Sequence, residues 1–167
     1  MTRAFLSLGS NLGDRLKYLR SAVGALRGGP LLQVRGVSRI YDTAPVEVEQ
    51  EQPYYLNCVV EVDYGGTALE LLRFCQGTEA ALGRERSVAV GEKAPRTLDI
   101  DVLLFGREII EGRQLVVPHP GILRSFNLKG LADLDTDLYI PGRGVVAELL
   151  ASVDLGGVQE LEVGELC

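Results

Sequence analysis

Apolar residues recur along this chain in two periods, and the switches between them mark out elements. Ala4, Leu6 and Leu8 alternate with other residues across Arg3 to Leu8, which predicts a first strand with those three on one face. Leu16, Leu19, Val23 and Leu26 then fall at helical spacing, predicting a helix from about Asp14 until Gly28-Gly29-Pro30 stops it. Leu31 to Ile40 and Tyr55 to Val62 are rich in Val, Leu and Ile and read as strands. Thr67 is placed to cap a second helix with Ala68, Leu72, Cys75 and Leu82 as its apolar stripe. Asp99 to Phe105 is a further strand, with Leu98, Ile100, Val102 and Leu104 on one face. Short elements at Leu138 to Ile140 and Val145 to Ala151 follow. The order β-α-β-β-α-β predicts an α+β protein with a ferredoxin-like core and a C-terminal αβ appendage, forming a single domain over residues 1–167.

Two connections have no periodic pattern and exceed what a turn needs. Ala44 to Tyr54 joins two strands through an acidic, proline-bounded segment, and Gly83 to Ala94 carries Arg84, Arg86, Gly91 and Lys93. Long structureless connections in a compact domain are either disordered or functional lids. The second is basic and leads into the acids of the next strand, which favours a lid.

Charge narrows the function. A net charge of −6 argues against general nucleic-acid binding, which uses a basic face. Yet Arg84, Arg86, Lys93, Arg96, Arg107, Arg113, Arg124 and Lys129 crowd one region of the chain, while Arg143 is the only basic residue after it. A cationic pocket on an acidic protein suits a small phosphorylated ligand. No apolar run approaches the ~20 residues that span a bilayer. Met1-Thr2-Arg3 runs straight into a strand rather than a signal peptide, so no membrane association is expected. Cys58, Cys75 and Cys167 lack metal-ligand spacing, and the first two sit in apolar patterns as reduced core residues, so a cytoplasmic location is expected.

The most specific string is Pro95-Arg96-Thr97-Leu98-Asp99-Ile100-Asp101-Val102-Leu103, a loop feeding a hydrophobic strand. Alternation puts Asp99 and Asp101 on one side, their Cα atoms roughly 6.5–7 Å apart. Two like charges there either hold a hard divalent cation together with phosphate oxygens, or sit at a solvated strand end paired with Arg96. Other strings have structural readings. Gly9-Ser10-Asn11-Leu12-Gly13-Asp14 reads as a strand-to-helix turn in which Ser10, Asn11 or Asp14 is the N-cap. Glu79 shares a helical face with Leu72 and Cys75, where a carboxylate needs a partner such as Arg84 or Arg86. Taken alone, Tyr55 on a strand reads as a core residue and the lone His119 as a packed or capping one.

Taken together, these strings resemble the 6-hydroxymethyl-7,8-dihydropterin pyrophosphokinase family over nearly the whole chain. The likeness runs through Gly9-Ser10-Asn11-Leu12-Gly13, Tyr41-Asp42-Thr43-Ala44-Pro45, Tyr55-Leu56-Asn57, Glu79 to Arg86, the Asp-x-Asp strand and Val117-Pro118-His119-Pro120. The resemblance implies transfer of a diphosphate from ATP, the co-substrate, to the pterin alcohol. It implies two Mg²⁺ ions on Asp99 and Asp101, with Arg84 and Arg96 joining them as catalytic residues. Arg84, Arg86, Arg96, Val102, His119 and Arg124 are implied for ATP. The pterin falls to Thr43, Pro45, Val46, Tyr55, Asn57 and Phe126, its ring sandwiched between Tyr55 and Phe126. For the Gly9 to Asp14 turn the resemblance implies structural support beside the substrate site. Arg suits the phosphate role because its planar fork grips two oxygens while staying charged.

The chain departs from the family in places. Lys93 and Ala94 stand where a Trp and a Gly are common before the Pro-Arg. Gln114 replaces a common Arg, with Arg113 beside it, and Arg124 and Phe126 lie one residue closer to His119 than usual. Two rivals remain at this stage. A nucleotidyltransferase also pairs a Gly-Ser turn with a strand Asp-x-Asp, but keeps the two close in sequence; here Gly9-Ser10 and Asp99 are far apart. A ferredoxin-like regulatory domain would bind a small ligand without needing an acid pair beside an arginine loop.

Overall fold

The computed structural model describes residues 1–11, 13–43, 55–83 and 98–162. The elements run β1 (Thr2–Ser10), α1 (Arg15–Arg27), β2 (Leu32–Val37), β3 (Ile40–Thr43), β4 (Tyr55–Tyr64), α2 (Ala68–Gly83) and β5 (Asp99–Phe105). There follow β6 (Ile110–Glu111), β7 (Val116–Val117), α3 (Ser125–Leu134), β8 (Tyr139–Ile140), β9 (Gly144–Val145), α4 (Val146–Ala151) and β10 (Val158–Leu161). The main sheet has the order β10-β3-β4-β1-β5, with β2 also on β4, and all its pairings are antiparallel. The protein is thus an α+β fold.

Local chemistry sets the helix ends. Asp14, among the three candidate caps, starts α1: its Oδ1 accepts the Lys17 N–H at 3.1 Å. Thr67 caps α2 as expected and does so reciprocally. Its Oγ1 accepts the Glu70 N–H at 3.2 Å, and the Glu70 carboxylate accepts the Thr67 N–H at 3.1 Å.

Each face of the sheet buries its own cluster. Ala4, Leu6 and Leu8 of β1, with Leu56, Cys58, Val60 and Val62 of β4, pack under α1 (Leu19, Ala22, Val23, Leu26) and α2 (Ala68, Leu71, Cys75). Leu71 is the residue fully buried there, while Leu72 is only partly buried. Phe5, Val59, Leu103 and Leu104 cover the opposite face, with Leu128 and Leu131 of α3, Ile140 and Val146. Cys58 and Cys75 are buried free thiols, as their apolar setting predicts.

Two strand expectations need correction. Leu31 to Ile40 is not one strand. The chain breaks between β2 and β3 because the Ser38 hydroxyl takes over from the backbone: Ser38 Oγ accepts the Val59 N–H at 2.8 Å while Ser38 N–H donates to Val59 O at 2.8 Å. Leu104 does not share the face of Ile100 and Val102. Pairing with β1 steps from Leu6↔Val102 to Phe5↔Leu104, so Leu103 is an inserted residue and the alternation reverses after it. The carbonyl of Leu103 accepts the His119 N–H at 3.0 Å. The peptide bond Val117-Pro118, just ahead of that residue, is cis. The helix α3 and the edge strand β10 had no counterpart in the sequence reading.

One close approach holds α3 on the sheet. A Cβ at Gly130 would overlap Cγ2 of Val59, so only glycine lets the helix lie this close. Gly130→Ala gains about 1 kcal/mol of helix propensity. The clash with a β-branched, fully packed neighbour outweighs it, and a net loss of roughly 1–2 kcal/mol is expected, read as a lower urea midpoint at unchanged slope.

Candidate functional site

On the α3 side of the sheet, side chains change from apolar to polar toward the same end of three adjacent strands. Phe5 gives way to Ser7 and Gly9 on β1, Val59 to Asn57 and Tyr55 on β4, and Leu103 to Asp101 and Asp99 on β5. Register aligns them. Gly9 pairs with Asn57 on one side and Asp99 on the other, and Ser7 pairs with Asp101. The helix α3 covers the apolar half only. Beyond its first turn lies a cavity of about 140 Å³ lined by Ser7, Gly9, Thr43, Tyr55, Asn57, Asp99, Asp101, Arg124, Phe126 and Asn127. Gly9 forms its floor, and a Cβ there would come within 2.9 Å of Asn57 Oδ1.

Seven of the residues expected at the site therefore meet in one cavity: Thr43, Tyr55, Asn57, Asp99, Asp101, Arg124 and Phe126. Asn57 is buried and its Nδ2 donates to Thr43 Oγ1 at 2.6 Å, which fixes the amide and turns its Oδ1 toward the Gly9 floor. His119 stands at the edge, its Nε2 3.7 Å from Asp101 Oδ1. Val102 is the exception. Its side chain is 1 % exposed, in the core under α2 on the face opposite the acids, which leaves only its backbone to serve a nucleotide. Arg84, Arg86, Arg96, Pro45 and Val46, and with them the expected 84–94 lid, lie outside the described residues.

Glu79 closes the back of the acid pair. Its carboxylate accepts the Ile100 N–H at 3.0 Å, which pins the β5 backbone between Asp99 and Asp101. Burial pushes its pKa up to about 8, with a hydrogen bond to Asp99 and the negative charges of Asp99 and Asp101 adding to the rise. His119 is shifted the opposite way. Burial and then the Arg124 guanidinium lower its pKa from the ordinary value, against a smaller upward pull from Asp99. Gly121 N–H donates to His119 Nδ1 at 2.9 Å, so the neutral ring carries its proton on Nε2 and offers a donor toward Asp101. That arrangement makes the ring a hydrogen-bond donor rather than a base.

Ser7 and Asn127 lie outside the expected site set, and Gly9 is expected beside the site only as structural support. Ser7 and Gly9 were visible in principle: alternation in β1 places them opposite Leu6 and Leu8, where polar or missing side chains on a sheet face mark an opening. Nothing in the sequence pattern marks Asn127, whose place depends on how α3 docks.

The model of the family 7,8-dihydro-6-hydroxymethylpterin-pyrophosphokinase matches residues 5–136, a span that holds every described site residue. This chain belongs to that family. It is 47% identical over 132 residues to the 2-amino-4-hydroxy-6-hydroxymethyldihydropteridine pyrophosphokinase of Bacillus subtilis, covering 78% of this chain and 77% of that one. It is 40% identical over 163 residues to the enzyme of the same name from Methylorubrum extorquens, covering 97% of this chain and 100% of that one. Among solved structures, wild-type Plasmodium falciparum HPPK-DHPS superposes with a TM-score of 0.70 at 14% identity, covering 98% of this chain and 48% of that one. The chain thus spans about half of that structure, and the likeness shows the fold. As a pyrophosphokinase of this family, the protein is an ATP-dependent transferase that moves diphosphate to 6-hydroxymethyl-7,8-dihydropterin in folate synthesis.

The Glu79 environment has a measurable consequence. A carboxyl whose folded pKa exceeds its unfolded value contributes stability that is fully present at low pH and is lost as pH rises. With values of 4.5 unfolded and about 8 folded, the loss falls across that window. In magnesium-free buffer, Glu79→Gln should remove this component while its amide still accepts the Ile100 N–H. Urea midpoints from pH 4 to pH 9 should then converge at low pH and favour the variant at high pH. Parallel profiles would show that Glu79 is not held protonated.

Proposed function

We propose that the cavity between β3, β4, β5 and α3 is where the diphosphate transfer takes place, with the pterin and the phosphates meeting over Gly9. The observation that carries this reading is the meeting of an aromatic pair, a fixed amide and an acid pair around one floor. Tyr55 and Phe126 supply faces for a flat heterocycle, which stacks offset on such rings. Asn57 Oδ1, with Nδ2 already engaged by Thr43, accepts from the donor edge of the pterin. Pro45 and Val46 belong to the same pterin set, as do Arg84, Arg86 and Arg96 to the phosphates.

Asp99 and Asp101 are the groups to hold Mg²⁺, two ions in this reading. The donor set fits. Two adjacent carboxylates on one face create a negative site, with the Glu79 carboxyl behind them hydrogen-bonded to Asp99 and adding no charge of its own while protonated. Among the described residues no cluster of three or more ligating side chains completes a coordination sphere, which suits a cation that keeps its waters and takes phosphate oxygens. Bound there, the metal supplies charge neutralisation on the triphosphate.

In the transfer, the pterin hydroxyl oxygen attacks the β-phosphorus in line, the bond from that phosphorus to the α–β bridging oxygen breaks, and AMP leaves. The hydroxyl proton passes to water, since His119 presents a donor rather than a lone pair. His119 Nε2–H and Arg124 contact phosphate oxygens and hold them for attack. Positioning and electrostatics supply the acceleration, so no strong base is needed.

The strand order β5-β1-β4 with β2 and β3 as the two halves of the next strand, and two helices on one face, supports the ferredoxin-like reading of the core. Both clusters share that sheet, which supports a single domain. Buried free thiols at Cys58 and Cys75 support a cytoplasmic location, and among the described residues no helix is long and apolar enough to cross a membrane.

Incubation with ATP, Mg²⁺ and the pterin alcohol should yield AMP rather than inorganic diphosphate. Asp101→Ala should lower the rate at least ~1000-fold with the melting temperature little changed. Phe126→Ala should weaken pterin binding by roughly 10- to 100-fold while leaving nucleotide affinity within a few-fold, measured by calorimetry. Equal losses for both ligands would make Phe126 a packing residue and contradict the assignment.

A further inference from the structure

A buried polar chain crosses the back of the cavity and ends at His119, whose Nε2 lies 3.7 Å from Asp101 Oδ1. Ser7 Oγ lies 2.8 Å from Asn127 Oδ1, Asn127 Nδ2 lies 2.8 Å from the Gly121 carbonyl, and Gly121 N–H lies 2.9 Å from His119 Nδ1. Ser7 and Asn127 are 6 % and 3 % exposed, so water does not compete for these bonds. The direction of every bond follows from its ends. The Gly121 carbonyl can only accept, so the amide nitrogen of Asn127 faces it, the amide oxygen faces Ser7, and the Ser7 hydroxyl donates. At the far end a backbone N–H can only donate, which fixes Nδ1 of His119 as an acceptor.

The same carbonyl also accepts the Arg124 N–H at 3.1 Å, and Arg124 is the N-cap of α3 without any side-chain capping bond. The first turn of α3 carries Phe126 and therefore lacks the usual side-chain restraint. Asn127 supplies one instead, tying that turn to β1 and to the His119 turn together.

We propose that Asn127 is a positioning residue that couples the two walls of the site, holding Phe126 for the pterin ring and the His119 ring, in its Nε2–H form, for phosphate. The inference rests on the assignment of the cavity to diphosphate transfer. A plain packing role would require only that the polar groups be satisfied, and an apolar pair of similar size would then serve equally well.

The test uses the full chain and its single histidine, which makes ¹⁵N ring spectra of the free protein unambiguous. The Ser7→Ala/Asn127→Leu double variant replaces the pair with apolar groups and leaves neither partner orphaned. Asn127→Asp keeps an acceptor for Ser7 but sets a carboxylate against the Gly121 carbonyl. Wild type should show the Nε2–H tautomer alone. Both variants should show mixed tautomers or a broadened ring, with kcat/KM lowered roughly tenfold, the scale of one lost neutral hydrogen bond. A single Nε2–H tautomer and wild-type kcat/KM in both variants would overturn the proposal. The ring spectrum needs no substrate, so a protein that forms no AMP would count against the activity assignment while leaving the tautomer result to decide the role of Asn127.

Discussion

The register of β1 against its two neighbours is the constraint on which the chemistry of this protein depends. Gly9 sits level with Asn57 on β4 and Asp99 on β5, and it contributes no side chain between them. That gap is the floor of the cavity. Slipping β1 by one residue against β4 would turn Leu8 into the floor and expose Ala4, Leu6 and Leu8 on the wrong face, emptying the cluster under α1 and α2. The core that stabilises the sheet thus enforces the alignment that builds the site. The Leu103 bulge extends the same coupling to His119, because the inserted residue breaks the ladder where the His119 N–H docks on its carbonyl.

Electrostatics then define what the floor can receive. Three carboxyl groups converge at the start of β5, and burial makes the innermost, Glu79, hold its proton. The remaining two line the cavity, where, on the proposed reading, a cation and phosphate oxygens would relieve their repulsion. His119 stays neutral beside Arg124 and directs a donor, not a lone pair, toward the same space. On the proposed reading, such a site would stabilise the transferring phosphate and leave proton removal to water.

Much of this was legible in the sequence, and for definite reasons. The faces of β1 and β4 and the positions of α1 and α2 follow from apolar period alone. The strand Asp99–Phe105 was bounded correctly because its alternation is strict up to the bulge. The bulge itself was not legible, since Leu103, Leu104 and Phe105 are all apolar and a run of that kind does not reveal which residue is inserted. The Ser38 break was hidden for a related reason: a serine within a Val-rich stretch gives no sign that its hydroxyl will replace a backbone partner. The residues expected on β3, β4 and β5 follow from family resemblance, and register explains why they line one cavity. Ser7 and Asn127 were missed because their importance lies in a bond between residues far apart in the chain. Val102 was assigned to ATP by resemblance, whereas its own alternation with Asp101 already placed its side chain in the core.

Gly9→Ala offers the most direct measurement of the central claim. Its backbone φ is not left-handed, so the backbone accepts alanine, and the added methyl acts by filling the floor and pushing on the Asn57 amide, whose Oδ1 would lie 2.9 Å away. Calorimetric titration with the pterin alcohol should show affinity reduced at least ~10-fold while the melting temperature stays within a few degrees of wild type. Undiminished pterin affinity in a folded Gly9→Ala protein would place the substrate elsewhere and contradict the account.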